Sequence, residues 1–273
     1  MRPHRHTRSN AITLTSALAG LALLAGCGSS TSSSPTATAT ASPSAPATTT
    51  SSAVAVPASA SARLRAAQAA LRGAGTVHID VTSSASSASV QFSDDSAASG
   101  GRQLVTFDKT GHATILFIPG TAYLKADAPT LEGFMGCDQT QAEAAANRWI
   151  YLRPGDKFCG TDYDTVTDGI TLSSVAGELA MKNGTATTTA TATMAGQRVV
   201  GVQGQPSGGQ LPASAKEVLY LTDDARLRPV LSEQTAAGIK SEVSFSEWGE
   251  QLTLTAPKGA VPASSITPAS STT

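Results

Sequence analysis

From Val77 onward the hydrophobic period of this chain is two, and that alternation limits its fold more than any other feature. Val77, Ile79 and Val81 alternate with His78 and Asp80, the pattern of a strand with one buried face. Val90 and Phe92 continue or partner it, and further strands are predicted at 104–107, 114–118 and 122–125. The turns Asp108-Lys109-Thr110-Gly111 and Pro119-Gly120 separate them. Another strand at 149–152 is bounded by Pro154-Gly155. The last third predicts strands only, at 185–193, 198–203, 217–222, 227–233, 240–245 and 251–255. Asp223-Asp224-Ala225-Arg226 forms a hairpin signal among them, and Pro257 stops the series.

Helical spacing interrupts this pattern in three places. Residues 63–72 carry Leu64, Ala67 and Leu71 on one face, with Gly73 and Gly75 behind them. Leu131, Phe134 and Met135 stand at helical spacing and lead into the Ala-, Glu- and Gln-rich 139–147. Residues 171–181 place Leu172, Val175 and Leu179 inward, and Asn183-Gly184 supplies a C-cap signal. The sum is an α+β fold: an antiparallel meander with helices inserted near its middle.

The flanks do not share this pattern. Arg2, Arg5 and Arg8 precede an apolar run over 11–24, shorter than the roughly 20 residues of a membrane span. The run ends in Leu24-Ala25-Gly26-Cys27, a lipobox. Residues 1–26 therefore read as a lipoprotein signal peptide. Cys27 reads as the lipidated N-terminus left by cleavage, anchored on the extracytoplasmic face of the cell membrane. Two acyl chains, each methylene contributing about 0.8 kcal/mol, make such an anchor firm. Residues 27–61 after the cysteine are nearly all Ser, Thr, Ala and Pro without charge, a composition too poor in apolar surface to fold. The tail 262–273 reads the same way, which leaves 62–261 as one domain.

Removing three of the 19 Lys and Arg leaves 16 against 20 acidic residues, a formal charge of −4. A weakly acidic surface does not suit nucleic acid. With Cys27 lipidated, Cys137 and Cys159 remain, and an exported pair of cysteines is expected to bridge. No further His or acidic ligands stand at metal spacing beside them, so no metal is expected.

Family-level features appear in Trp149-Ile150-Tyr151-Leu152 after the helical insert and in two late stretches. One is Leu219-Tyr220-Leu221-Thr222-Asp223-Asp224-Ala225-Arg226-Leu227-Arg228-Pro229-Val230. The other is Phe245-Ser246-Glu247-Trp248-Gly249-Glu250, running through alternating Leu and Thr to Ala256-Pro257. With the element order over 62–261 and the lipobox, the chain resembles the LolA-like fold, in particular the LppX/LprA/LprF/LprG lipoproteins of high-GC Gram-positive bacteria. The resemblance implies a bent antiparallel half-barrel with helices across its concave face, and between them an apolar cavity for acyl chains of a lipid or glycolipid. Leu131, Phe134 and Met135 are then candidates for the lid. Leu116 and Ile118 would lie beneath, or else Ile115 and Phe117, according to which strand face turns inward. The many Ser, Thr, Ala and Gly residues on strands depart from the family's lipid binders, and the Cys137/Cys159 pair has no counterpart carried over from it.

Chemical signatures are sparse. Mature His78 and His112 read as surface or packing residues, and no Ser sits in a Gly-x-Ser-x-Gly elbow. Neither a phosphate loop nor any other cofactor motif occurs. Asp94-Asp95 and Asp223-Asp224 read as solvated turn residues, and Trp149, Tyr151, Phe245 and Trp248 as core before ligand contacts. A membrane-anchored lipid or glycolipid carrier is the leading expectation. A non-enzymatic sensor or scaffold binding another envelope protein is the alternative, and an enzyme is not expected.

Overall fold

The computed structural model describes residues 56–84, 89–108, 110–207 and 211–266. Cys27, the signal peptide and most of the expected linker lie outside the described residues.

The main sheet is a pair of meanders joined at their first and last strands. The first meander contains β1 (Thr76–Ser84), β2 (Ser89–Ala97), β3 (Gly101–Phe107), β4 (Gly111–Ile118), β5 (Thr121–Ala126) and β6 (Ile150–Leu152). The second contains β9 (Thr187–Met194), β10 (Gln197–Gly204), β11 (Lys216–Thr222), β12 (Pro229–Ala236) and β13 (Ile239–Ser246). β1 pairs antiparallel with β13, Ile79 opposite Phe245, and this joins the two halves. The spatial order is β14-β6-β5-β4-β3-β2-β1-β13-β12-β11-β10-β9, where β14 (Val261–Pro262) adds parallel to β6. The sheet is open, with β14 and β9 at its edges. Register shifts at Val200/Val202 and Tyr220/Leu221 bend the second meander.

Helices cover one face. α1 (Ala60–Arg72) lies with α5 (Leu172–Glu178) over the second meander and β1, burying Leu64, Ala67, Leu71, Leu172 and Val175 against Val200, Val202, Leu219 and Leu221. α2 (Ala128–Gly133), α3 (Gln139–Ala145) and α4 (Tyr163–Thr167) cover β3 to β6 and bury Leu131, Met135 and Ala142 against Val105, Ile115, Leu124 and Ile150. A small hairpin, β7 (Lys157–Phe158) with β8 (Thr161–Asp162), adds Phe158 to this core. The helices approach closely. A Cβ on Gly111 would come within 2.4 Å of Thr130 Oγ1, and one on Gly101 within 2.6 Å of the Ile170 carbonyl. Among the described residues no helix is long and apolar enough to cross a membrane.

Three sequence expectations change here. Residues 251–255 alternate like a strand but pair with none. They belong to a strap past the strand ends, where Leu254 approaches Gly100 and the Glu250 carbonyl accepts from Thr76 Oγ1. The tail expected to be disordered from Pro262 is ordered through Ile266: β14 and a 3-10 turn, Ala263–Ser265, carry Ala263 and Ile266 into the first core. Asp94 and Asp95 are not on a turn. They lie within β2 and point to opposite faces, opposite Ile79 and His78 respectively.

Candidate functional site

The two helical layers bury two separate cores, and between them a half-buried strip, here called the trough, crosses the middle of the sheet. Its floor follows from the register. Val81 of β1 lies opposite Phe92 of β2 and Val243 of β13. One row on, Ser83 lies opposite Val90 and Ser241, and Ser241 opposite Gln234. All seven side chains face the helices' side, yet each is only half-buried, whereas Val105, Leu219 and Leu221 on the strands beyond are fully covered. Val90 and Phe92 touch one core, Val81 and Val243 the other. Phe134 overhangs the floor, its ring centroid 6.0 Å from that of Phe92.

Leu131 and Met135 accompany Phe134 on α2 and its exit, but they are buried in the first core. Of the two candidate floor pairs, Leu116 and Ile118 face away from the helices. Ile115 lies opposite Gln103 and packs inward with Phe117, whose ring meets Tyr163 edge-on at 6.2 Å. Leu116 lies opposite Arg102 and Tyr123 on the convex face. A strand's period is two, so the choice of face decides every residue at once. Cys137 and Cys159 are joined by a disulfide, with Cα atoms 4.7 Å apart. The bridge ties the exit of α2 to the β7–β8 turn.

Carboxyl groups stand on the concave side. Asp94 is 4 % exposed and accepts from Gln103 Nε2 at 3.2 Å. Glu217 is 3 % exposed and accepts from Ser232 Oγ at 2.9 Å. The other oxygen of each, Asp94 Oδ1 and Glu217 Oε2, is buried without a partner among the described residues. Glu178, the last residue of α5, is exposed. Desolvation pushes all three carboxyls up to about 7. The charge of Glu178 adds to the shift of Asp94, and those of Asp168 and Glu217 to that of Glu178.

The convex face carries a second polar group, which sequence reading missed. Nδ1 of His78 lies 2.8 Å from Asp95 Oδ1, and Nε2 lies 3.4 Å from both Ser93 Oγ and Asp80 Oδ1. Arg102 holds the other oxygen of Asp95. Partial burial works against the charged ring. The Asp95 hydrogen bond and the charges of Asp80, Asp95 and Glu247 outweigh it, so the His78 pKa is raised. Asp95 shows the opposite balance: burial raises its pKa, but His78 and Arg102 pull it below the ordinary carboxylate range. The Ser93–His78–Asp95 line has the order of a hydrolytic triad, but Ser93 Oγ stands 3.4 Å from Nε2, which faces Asp80 Oδ1 at the same distance. His78, Asp95 and Glu247 also present ligand atoms within 4.8 Å of one another. Arg102 pairs with Asp95 in that cluster, and the strap at 251–253 lines the polar groove of about 290 Å³ that holds it. His112 is exposed, and its backbone N–H donates to Asp127. Of the four aromatic residues expected in the core, Phe245 is buried and Trp248 packs partly against the second core beneath Arg228. Tyr151 lies on the convex face beside Tyr123 and Arg153.

No protein-family model matches the chain, and no curated protein matches it by sequence. Solved structures do resemble it. LprF from Mycobacterium bovis is 17% identical over 73% of this chain and 97% of its own, with a TM-score of 0.46. Lipoprotein LppX from Mycobacterium tuberculosis is 13% identical over 70% of this chain and 96% of its own, TM-score 0.44. A LolA superfamily protein from Nitrosomonas europaea is 10% identical over 72% and 96%, TM-score 0.25. The resemblance to LppX, LprF and LolA-like proteins read from the sequence thus recurs among solved structures. Likeness of this degree carries neither ligand nor partner across.

Proposed function

We propose that the chain is an exported envelope lipoprotein, anchored through Cys27, that binds or carries a lipid or glycolipid with an acyl chain along the central trough. The observation that supports this most is the half-buried apolar floor of Val81, Val90, Phe92 and Val243 between two buried cores. A groove whose apolar floor is left uncovered gains about 25 cal/mol for each Å² that a ligand's chain covers. Phe134 supplies an aromatic wall over the same floor. The anchor would keep the trough at the membrane surface, where lipid is supplied.

Mass spectrometry of the purified protein under non-denaturing conditions tests the reading: a lipid adduct that organic extraction removes is expected. Bare protein, with neither mass nor melting temperature moved by added phospholipid or glycolipid, contradicts it. Cys27→Ser should shift the chain from the membrane fraction to the soluble or unprocessed pool, and unchanged partition and mass would refute the anchor.

A second reading, docking of another envelope protein, is favoured by one feature. β9 is an edge strand of eight residues, TTTATATM, with neither charge nor proline, the kind of edge that accepts an added strand. Photo-crosslinking from Thr191 in cells would trap a partner under this reading and only the chain itself otherwise.

A further inference from the structure

We infer that His78, Asp95 and Glu247 form a binding site for one divalent transition-metal ion, Zn²⁺ by its chemistry, which ties the strap after β13 to β1 and β2.

Three elements meet at this site. His78 of β1 lies opposite Asp95 of β2 on one side and Ser246 of β13 on the other. Glu247 follows Ser246 as the first residue past β13, and all three side chains present ligand atoms within 4.8 Å of one another. The pairing that joins the two meanders therefore assembles the group, from residues that show no metal spacing along the chain. The same side chains line the groove of about 290 Å³ together with Glu250 and Gln251, and at roughly 30 Å³ per water it has room for an ion and several waters.

The ring's partners suit ligation. Nε2 faces Asp80 Oδ1 and Ser93 Oγ, each at 3.4 Å. A ring that donates there leaves the Nδ1 lone pair for an ion, as a carboxylate behind a ligating histidine does. Nδ1 and Asp95 Oδ1 are 2.8 Å apart. Two ligand atoms each about 2.1 Å from one ion are separated by about 3.0 Å at a right angle, so this pair opens by only ~0.2 Å. Ligands on opposite sides of the ion stand about 4.2 Å apart. Glu247 is exposed, and rotation of its side chain closes the remaining few tenths.

Charge favours a cation here. The carboxylates of Asp95, Glu247 and Glu250 line the groove, and that of Asp80 stands against His78. Among the described residues Arg102 is the one Lys or Arg that lines it, and it takes the other oxygen of Asp95, leaving Oδ1. Mg²⁺ and Ca²⁺ favour oxygen ligands alone, whereas an imidazole with two carboxylates suits Zn²⁺.

The test is calorimetric titration of the processed, untagged chain at pH 7.5 with Zn²⁺, Mg²⁺ and Ca²⁺, in a buffer that does not bind metal. One equivalent of Zn²⁺ should bind, roughly tenfold or more tighter than Mg²⁺ or Ca²⁺, and should raise the melting temperature. His78→Gln and Glu247→Gln should each weaken Zn²⁺ binding by roughly tenfold or more, and His112→Gln should leave it unchanged. Should His78→Gln impair folding, Glu247→Gln, on an exposed residue, still carries the test. X-ray absorption of the zinc-loaded chain should show one imidazole among oxygen ligands. Zinc bound equally well by the unsubstituted chain and Glu247→Gln would overturn the inference. So would Mg²⁺ or Ca²⁺ binding as tightly as Zn²⁺, or no saturable zinc site in the unsubstituted chain.

Discussion

Glu217 faces inward beside Leu219 and Leu221, and Asp94 between Phe92 and Ser96, so each carries the desolvation that a carboxylate meets in a core. Their folded pKa of about 7 exceeds the ordinary carboxylate value. The folded form therefore binds the proton more tightly than the unfolded chain. Their contribution to stability is present in full below the unfolded pKa and is lost as pH rises through about 7. Glu217→Gln should accordingly raise the melting temperature at pH 8 by about 2–4 °C, for a gain on the order of 1 kcal/mol, and flatten the fall in stability between pH 5 and pH 8. A melting temperature that drops at pH 8 would show that the ionised group has a partner. Asp95 runs the other way: its lowered pKa gives stability present above the unfolded value and lost as pH falls through the folded one. None of this was legible from Asp94-Asp95 as a dipeptide. Period two does put neighbours on opposite faces, but only the pairing of Ile79 with Asp94 shows which face is buried.

Helices here are short, and local chemistry rather than length defines them. Ser59 caps α1, while Asp127, Asp138, Asp162 and Thr171 each accept from the N–H three residues on and start helices of five to seven residues. α1 and α5 were legible from apolar spacing; α4 and the β7–β8 hairpin were not, since neither is long enough to show a period. Residues 251–255 show the converse, alternation without a strand, because the chain there crosses strand ends and meets no free edge. The disulfide holds the short pieces between α2 and β8 together across a separation of 22 residues. Replacing Cys137 and Cys159 with Ala should cost about 3 kcal/mol and lower the melting temperature by about 6–12 °C. An unchanged melt would mean the bridge constrains nothing. Thiol labelling of unfolded, unreduced protein should find neither of these cysteines free.

The bent sheet arises from two locally folded meanders, and only the β1–β13 pairing, between residues more than 150 apart, makes them one. The α+β class and most strands could be read from alternation, whereas the strand order could not, because β1 and β13 carry no sequence mark that names each other. The same gap left open whether Leu116 and Ile118 or Ile115 and Phe117 face the floor. It also hid the trough, since Val81, Phe92 and Val243 come from three strands and become neighbours only through that central pairing. Filling the trough without touching either core separates its role from stability: Ser83→Trp or Ser241→Trp should reduce lipid occupancy while leaving the melting temperature within a few degrees. The most direct measurement uses a lipid with a photoreactive diazirine on its acyl chain, cross-linked to the full chain and mapped by peptide sequencing. The account predicts adducts at Val81, Val90, Phe92, Phe134 and Val243; adducts confined to the convex face, at Leu104, Leu116 or Tyr123, would contradict it.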